Sequence, residues 1–78
     1  MNLTLTAVFE TVSPADGGGY TAYCEELPGA ITQGETLDEA RKNLNDAIKE
    51  VIAANRQLAR ESQSETQVIK EEIHLLAA

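Results

Sequence analysis

Three features of the sequence predict an α+β fold, in which a small antiparallel sheet packs against one long helix. Residues 3 to 9 alternate between apolar and polar side chains, which is typical of a strand with one buried face. Two more short β-type segments follow, each separated from its neighbour by Gly or Pro. From residue 37 onward, apolar residues recur every three or four positions, as in an amphipathic helix. A last apolar segment completes the predicted order βββαβ.

The first two strands form the predicted hairpin. The buried face of the first strand is formed by Leu3, Leu5, Ala7 and Phe9. The glycines at 17 to 19 predict a turn, because consecutive glycines lose too much conformational freedom in regular structure. Strand-like composition resumes at residues 20 to 24, and the short connection favours an antiparallel pair.

A second turn leads into the third strand. Pro28 lacks a backbone donor and Gly29 readily adopts positive φ, so the chain is expected to turn at residues 25 to 29. The β-branched run at 30 to 33, closed by Gly34, then predicts a third strand of the same sheet.

The helix is predicted to begin at a capping box. In this motif the Thr36 hydroxyl accepts from the Glu39 amide, and the Glu39 carboxylate accepts from the Thr36 amide. The helix is expected to end between Leu58 and Ser62. Its apolar side is formed by Leu37, Ala40, Leu44, Ala47, Ile48, Val51 and Leu58.

A fourth strand is predicted from Thr66 to Leu75, because this segment contains Val68, Ile69 and Ile73. The alternation there is interrupted by two adjacent acids, and a helix is the less favoured alternative.

The chain length and composition predict one small domain, residues 1–78, that self-associates. Only 4% of its 78 residues are aromatic, and a core of this size supplies about 3–5 kcal/mol. The single cysteine excludes an intrachain disulfide, and no Cys/His cluster has metal-ligand spacing, so no metal and no cofactor are expected. A homodimer or higher oligomer is therefore predicted.

The charge favours a cationic partner. The net charge is −7, and residues 1 to 40 contain seven acids and no Lys or Arg. Direct binding of nucleic acid is not expected, because that affinity comes from cations that neutralise phosphates. The alternative is an acidic surface that only confers solubility. A cytoplasmic protein without membrane contact is expected, because there is no apolar stretch of about 20 residues and no signal peptide.

Catalytic chemistry is not expected in this chain. Cys24 and His74 are distant in sequence and would need an unseen contact to form a nucleophile pair. Glu25 and Glu26 are adjacent, so their side chains should point to opposite faces and not converge on one ion. The glycine run lacks the Gly-Lys-Ser/Thr sequence of a phosphate-binding loop.

Residues 20 to 48, YTAYCEELPGAITQGETLDEARKNLNDAI, resemble the HicB antitoxin family. The shared pattern is an aromatic strand, a Leu-Pro-Gly turn, a short strand ending in Gln-Gly, and a Thr-Leu-x-Glu-Ala helix start. The resemblance implies a partial RNase H-like fold that binds and blocks a small basic ribonuclease toxin of the HicA type. Glu25 and Ala30 depart from the family pattern, and neither a helix-turn-helix nor a ribbon-helix-helix pattern follows.

The turn after the second strand is the predicted toxin-binding site. Its residues are Glu25, Glu26, Leu27 and Pro28, and both carboxylates are expected to be exposed and dispensable for folding. Asp16 and Glu35 are further candidates. The alternative function is an orphan homo-oligomeric module of the same family that binds another protein or a small ligand.

Overall fold

The computed structural model describes residues 4–63 and 67–74. Residues 7 to 61 form a three-stranded antiparallel sheet with one helix packed on one face. The strand order is β1-β2-β3, and a short 3-10 turn at Pro14–Asp16 lies between the first two strands. The predicted α+β architecture and both antiparallel pairings are confirmed. The elements are β1 (Ala7–Thr11), β2 (Tyr20–Cys24), β3 (Ile31–Gly34) and α1 (Leu37–Glu61).

The strand register assigns each side chain to one of two faces. Phe9 lies opposite Ala22, and both belong to the core beneath α1. The adjacent row joins Val8, Tyr23 and Ile31 across all three strands. Because side chains alternate along a strand, this second row lies on the face away from the helix, which we call the open face.

The core is small and contains mostly short side chains. Its five buried residues are packed by partly buried neighbours that include Phe9 and Leu27. Among the described residues no large side chain is completely buried. The buried residues are Ala22, Cys24, Ala30, Ala40 and Leu44.

The helix approaches the sheet most closely at Gly34. A Cβ atom at Gly34 would overlap the backbone nitrogen and Cα of Ala40, which is itself completely buried. Gly19 has φ +77°, and a Cβ there would lie 2.5 Å from the Gly34 carbonyl oxygen. Glycine is therefore needed at Gly34 for contact between layers and at Gly19 for backbone conformation.

Half of the predicted capping box is present. The Thr36 hydroxyl accepts from the Glu39 amide at 3.1 Å, as predicted. The reciprocal prediction is wrong, because the Glu39 carboxylate accepts from the Glu35 amide at 3.3 Å instead of from the Thr36 amide. The backbone of Thr36 is extended (φ −118°, ψ 163°), as is usual for an N-cap residue.

The prediction of a fourth strand within the chain is wrong for the residues that the structure describes. Residues 67–74 form neither strand nor helix, while Thr66 and Leu75 lie outside the described residues. The helix explains this result, because its 25 residues rise about 37 Å, whereas a five-residue strand spans about 17 Å. The chain after α1 therefore starts well beyond the sheet.

The first strand begins later in the sequence than predicted. It begins at Ala7, Leu5 precedes it without strand pairing, and Leu3 lies outside the described residues. In the described part of the chain, no helix combines the length and the apolar character that crossing a membrane requires.

Candidate protein-binding face

The four residues of the predicted toxin-binding site lie in the turn between β2 and β3. The turn is closed by hydrogen bonds from the Cys24 amide to the Ala30 carbonyl (3.1 Å) and from the Ala30 amide to the Leu27 carbonyl (3.2 Å). Gly29 has φ +94°, which favours glycine at that position. Pro28 is exposed, whereas Leu27 packs against the core. The four residues are adjacent but have different surroundings.

Glu26 connects the turn to the segment before β1. One of its carboxylate oxygens accepts from the Thr6 amide at 2.6 Å and from the Cys24 thiol at 3.6 Å. The hydrogen bond from Thr6 lowers the pKa of Glu26, because it stabilises the ionised carboxylate. The Glu26 side chain is exposed, as expected, but it is tied to the Thr6 amide by this hydrogen bond.

Glu25 faces the opposite side of the sheet. Its amide donates to the Thr6 carbonyl at 3.0 Å, which continues the β1–β2 ladder by one residue. Its carboxylate lies near Tyr23 on the open face. Partial desolvation, followed by the negative charges of Glu10 and Glu25, raises the pKa of Tyr23 above 10.0. The Tyr23 hydroxyl therefore lies close to two carboxylates, those of Glu10 and Glu25, on the open face.

Apolar side chains flank this acidic group. Val8 and Ile31 lie on either side of Tyr23 in the same cross-strand row, and Ile31 is 62% exposed. An exposed isoleucine beside a tyrosine and two carboxylates suits contact with a protein that carries both basic and apolar groups. Sequence reasoning did not select Glu10, Tyr23 or Ile31. The alternation of side chains along each strand could have identified them, because Glu10, Tyr23 and Ile31 are each next to a residue on the buried face and therefore point to the open face.

Asp16 and Glu35, the further candidates, meet at a second place. Together with Glu39 they border a cleft of about 330 Å³ between the glycine turn and the start of α1. Asp16 already accepts from the Ser13 hydroxyl at 2.9 Å, and Glu39 accepts from the Glu35 amide. Within residues 4–63 and 67–74, no three acidic, His or Cys side chains are placed to hold a metal ion.

Cys24 and His74 lie in different environments. The Cys24 thiol is buried and donates to Glu26, whereas the exposed His74 has its Nε2 atom 3.5 Å from a Glu72 oxygen. The structure does not bring the two residues together as a nucleophile and base.

Comparisons with known proteins identify relatives of this chain. A UPF0150 protein from Synechocystis sp. is 44% identical over 52 residues, which is 67% of this chain and 68% of that protein. A second UPF0150 protein from the same organism is 47% identical over 32 residues, or 41% of this chain and 40% of that protein. Antitoxin HicB from Escherichia coli K12 is 45% identical over 38 residues, or 49% of this chain.

The match to antitoxin HicB spans only 28% of the length of that protein. No protein-family model and no solved structure matches the chain. The first Synechocystis relative nevertheless shares 44% identity across two thirds of both sequences. The similarity to HicB agrees with the motif in residues 20 to 48. The chain therefore belongs to the HicB-like family that includes the UPF0150 proteins.

Proposed function

We propose that this protein is an antitoxin that neutralises a small basic ribonuclease toxin of the HicA type by binding and covering it. The main support is its 45% identity to antitoxin HicB over 38 residues. The proposed role is protein binding in the cytoplasm rather than catalysis. It needs no metal or cofactor.

The open face is the proposed binding surface. A ribonuclease needs cationic groups to hold RNA phosphates, and these groups would meet the carboxylates of Glu10 and Glu25. Tyr23 and the exposed Ile31 supply apolar contact area between them. A single exposed carboxylate contributes little in water, so the acidic face is expected to act mainly as a field that speeds association.

The turn residues have separate roles in this proposal. Glu25 and Pro28 are exposed and contact the toxin. Glu26 and Leu27 hold the turn in place, through the hydrogen bond to Thr6 and through packing on the core. Replacing Glu26 would therefore disturb binding indirectly, and it is a poor probe of the interface.

The sharpest test reverses charge on the open face without touching Glu26. Glu10→Lys combined with Glu25→Lys is compared with Asp46→Lys combined with Glu50→Lys, two exposed acids on α1. Each pair replaces two acids by two lysines, so the net charge changes from −7 to −3 in both proteins. Any difference between them reports the position of the charge and not its total.

Association with the cognate HicA-type toxin is measured by stopped-flow mixing at several salt concentrations. The open-face variant is expected to associate about tenfold more slowly at low salt, and the difference should shrink as salt screens the field. The helix variant should retain most of the original rate. Equal rates for the two folded variants would remove the open face from the interface.

The alternative function is an oligomeric module that binds another protein or a small ligand. Affinity capture with the full chain from its own host distinguishes the two. A short basic protein that co-elutes and degrades RNA when released supports the antitoxin role. Its absence under conditions where the toxin gene is expressed favours the alternative.

A further inference from the structure

An apolar groove opens along the outer side of β1. The helix packs mainly against β3 and β2 and least against β1, so the core side of β1 is incompletely covered. The groove has a volume of about 230 Å³. Ala7 within it is exposed, and Leu5 is 38% exposed. The apolar part of its lining is Leu5, Ala7, Phe9, Cys24, Leu44 and Ile48.

The same side of β1 presents backbone groups without a strand partner. The Glu25 amide donates to the Thr6 carbonyl and the Val12 amide donates to the Gly19 carbonyl, so the backbone groups of the even-numbered residues in this segment face β2. In an antiparallel ladder the alternate residues face away, so Ala7 and Phe9 direct their N–H and C=O groups outward. Among the described residues β1 is an edge strand. The apolar groove and the unpaired edge of β1 therefore lie side by side. An added strand could pair with this edge and place apolar side chains in the groove.

The segment formed by residues 67–74 has the properties of that strand. Ile69 is 89% exposed and Ile73 is 80% exposed. They are four residues apart, so in a strand both would lie on one face. Fully extended, the eight residues would span about 26 Å, longer than β1 itself. Lys70 would then lie on the other face, the same face of the sheet as Glu10.

The helix carries this segment away from its own groove. Val51 lies beside Gly29 at the end of the sheet, and the ten residues from 52 to 61 continue about 15 Å beyond it. Leu58 in this projecting part is 63% exposed. The radius of gyration is 16.5 Å, whereas a compact chain of this length has about 11–12 Å. If residues 67–74 folded back onto their own chain, they would fill the groove but leave the projecting part of α1 exposed to solvent.

We infer that residues 67–74 of one copy pair as a fourth strand with β1 of a second copy, with Ile69 and Ile73 in the groove between β1 and α1. The exchange is reciprocal and forms a closed two-fold dimer, which covers both sheet edges at β1 and both projecting helices. This inference goes beyond the proposed function. The groove lies on the helix side of the sheet, so the open face remains available to a toxin.

The first test measures the mass of the full chain by light scattering. Wild type is expected at twice the 8.4 kDa of one chain. Ile69→Ser combined with Ile73→Ser should be monomeric at the same concentration. Lys70→Ser combined with Glu72→Ser is the matched control, since it removes one charge of each sign from the same segment, and it should remain dimeric. A monomeric wild type, or equal dissociation of both variants, overturns the inference.

The second test blocks the edge of β1 with Ala7→Pro. The Ala7 N–H faces outward and Ala7 is the first residue of an edge strand, so proline there leaves the bonds within the chain intact. This variant should be monomeric with an unchanged helical circular dichroism spectrum. Mixed with the Ile69→Ser and Ile73→Ser variant, it should form a heterodimer, because one intact segment meets one intact groove. A mixture of folded monomers that does not associate overturns the exchange.

The third test uses unaltered protein, so it does not depend on a variant folding. Chains with natural and heavy nitrogen are refolded together and treated with a carbodiimide, which joins a lysine directly to a nearby carboxylate. Cross-links from Lys70 to Glu10 are expected between chains of different isotope content. If every Lys70–Glu10 cross-link joined two peptides of the same isotope content, the segment would fold back on its own chain, and the inference would be overturned.

Discussion

Adjacent residues of this protein can have unrelated roles, as Glu25 and Glu26 show. The two carboxylates differ because strand side chains alternate in direction, so Glu25 joins the open face and Glu26 reaches the Thr6 amide. The Thr6 amide is 20 residues away in sequence, and its hydrogen bond lowers the pKa of Glu26. This difference leads to a prediction about pH.

The stability of the protein should fall as pH decreases below about 4.5, the ordinary pKa of Glu26. The pKa of Glu26 is lower in the folded chain, so the unfolded chain binds more protons in this range. The contribution of Glu26 is fully present above pH 4.5 and is lost as pH falls through the folded pKa. Urea unfolding of Glu26→Gln should show a weaker dependence on pH than wild type. Glu25→Gln is the control and should follow wild type; matching slopes for all three proteins would contradict the assignment.

The Thr36 hydroxyl provides a second prediction at this scale. Thr36→Ala removes the acceptor for the Glu39 amide and should lower the free energy of unfolding by about 1 kcal/mol. Thr36→Ser keeps the hydroxyl and should unfold close to wild type. If the alanine variant unfolded like the serine variant, the cap would not contribute to stability.

At the scale of elements, the contact between β3 and α1 depends on a missing side chain. Gly34 has no positive φ, so it is required by packing rather than by backbone conformation. The atoms that a Cβ would meet belong mainly to the backbone of Ala40, which cannot move without shifting the helix. The Gln-Gly end of β3 therefore determines how closely the two layers approach.

Gly34→Ala should accordingly destabilise the protein by about 1–3 kcal/mol, the usual range for overpacking. Adding Ala40→Gly should not restore stability, because the overlap involves the nitrogen and Cα that glycine retains. Thermal unfolding of the two variants measures both effects. Full rescue by the second substitution would show that only the Ala40 methyl group is in the way.

At the scale of the whole molecule, the net negative charge favours binding to proteins and disfavours binding to nucleic acids. A net charge of −7 repels phosphates, and the described residues contain one long helix and no helix-turn-helix. The purified chain should therefore give no sequence-selective retardation of its own promoter DNA, even at low salt. A mobility-shift titration with an unrelated fragment as control checks this. Selective retardation that disappears as salt rises would contradict the prediction.

The pattern of the sequence alone determined the first three strands, their place in one antiparallel sheet, the helix cap at Thr36 and the motif of the HicB-like family. These features depend on alternation, turn residues and caps, which act over a few neighbouring positions. The long helix was predictable for this reason at both ends, since it ends at Glu61, within the predicted range from Leu58 to Ser62, whereas the first strand begins later than predicted.

Only the tertiary structure decided which distant groups meet. It joined Glu26 to Thr6, placed Glu10 and Glu25 around Tyr23, and carried residues 67–74 beyond the sheet. The local composition of that last segment is that of a strand, but a strand also needs a partner edge within reach. The position of α1 on the sheet sets that reach, and this position follows from the packing of the two layers, although the length of the helix follows from its local pattern.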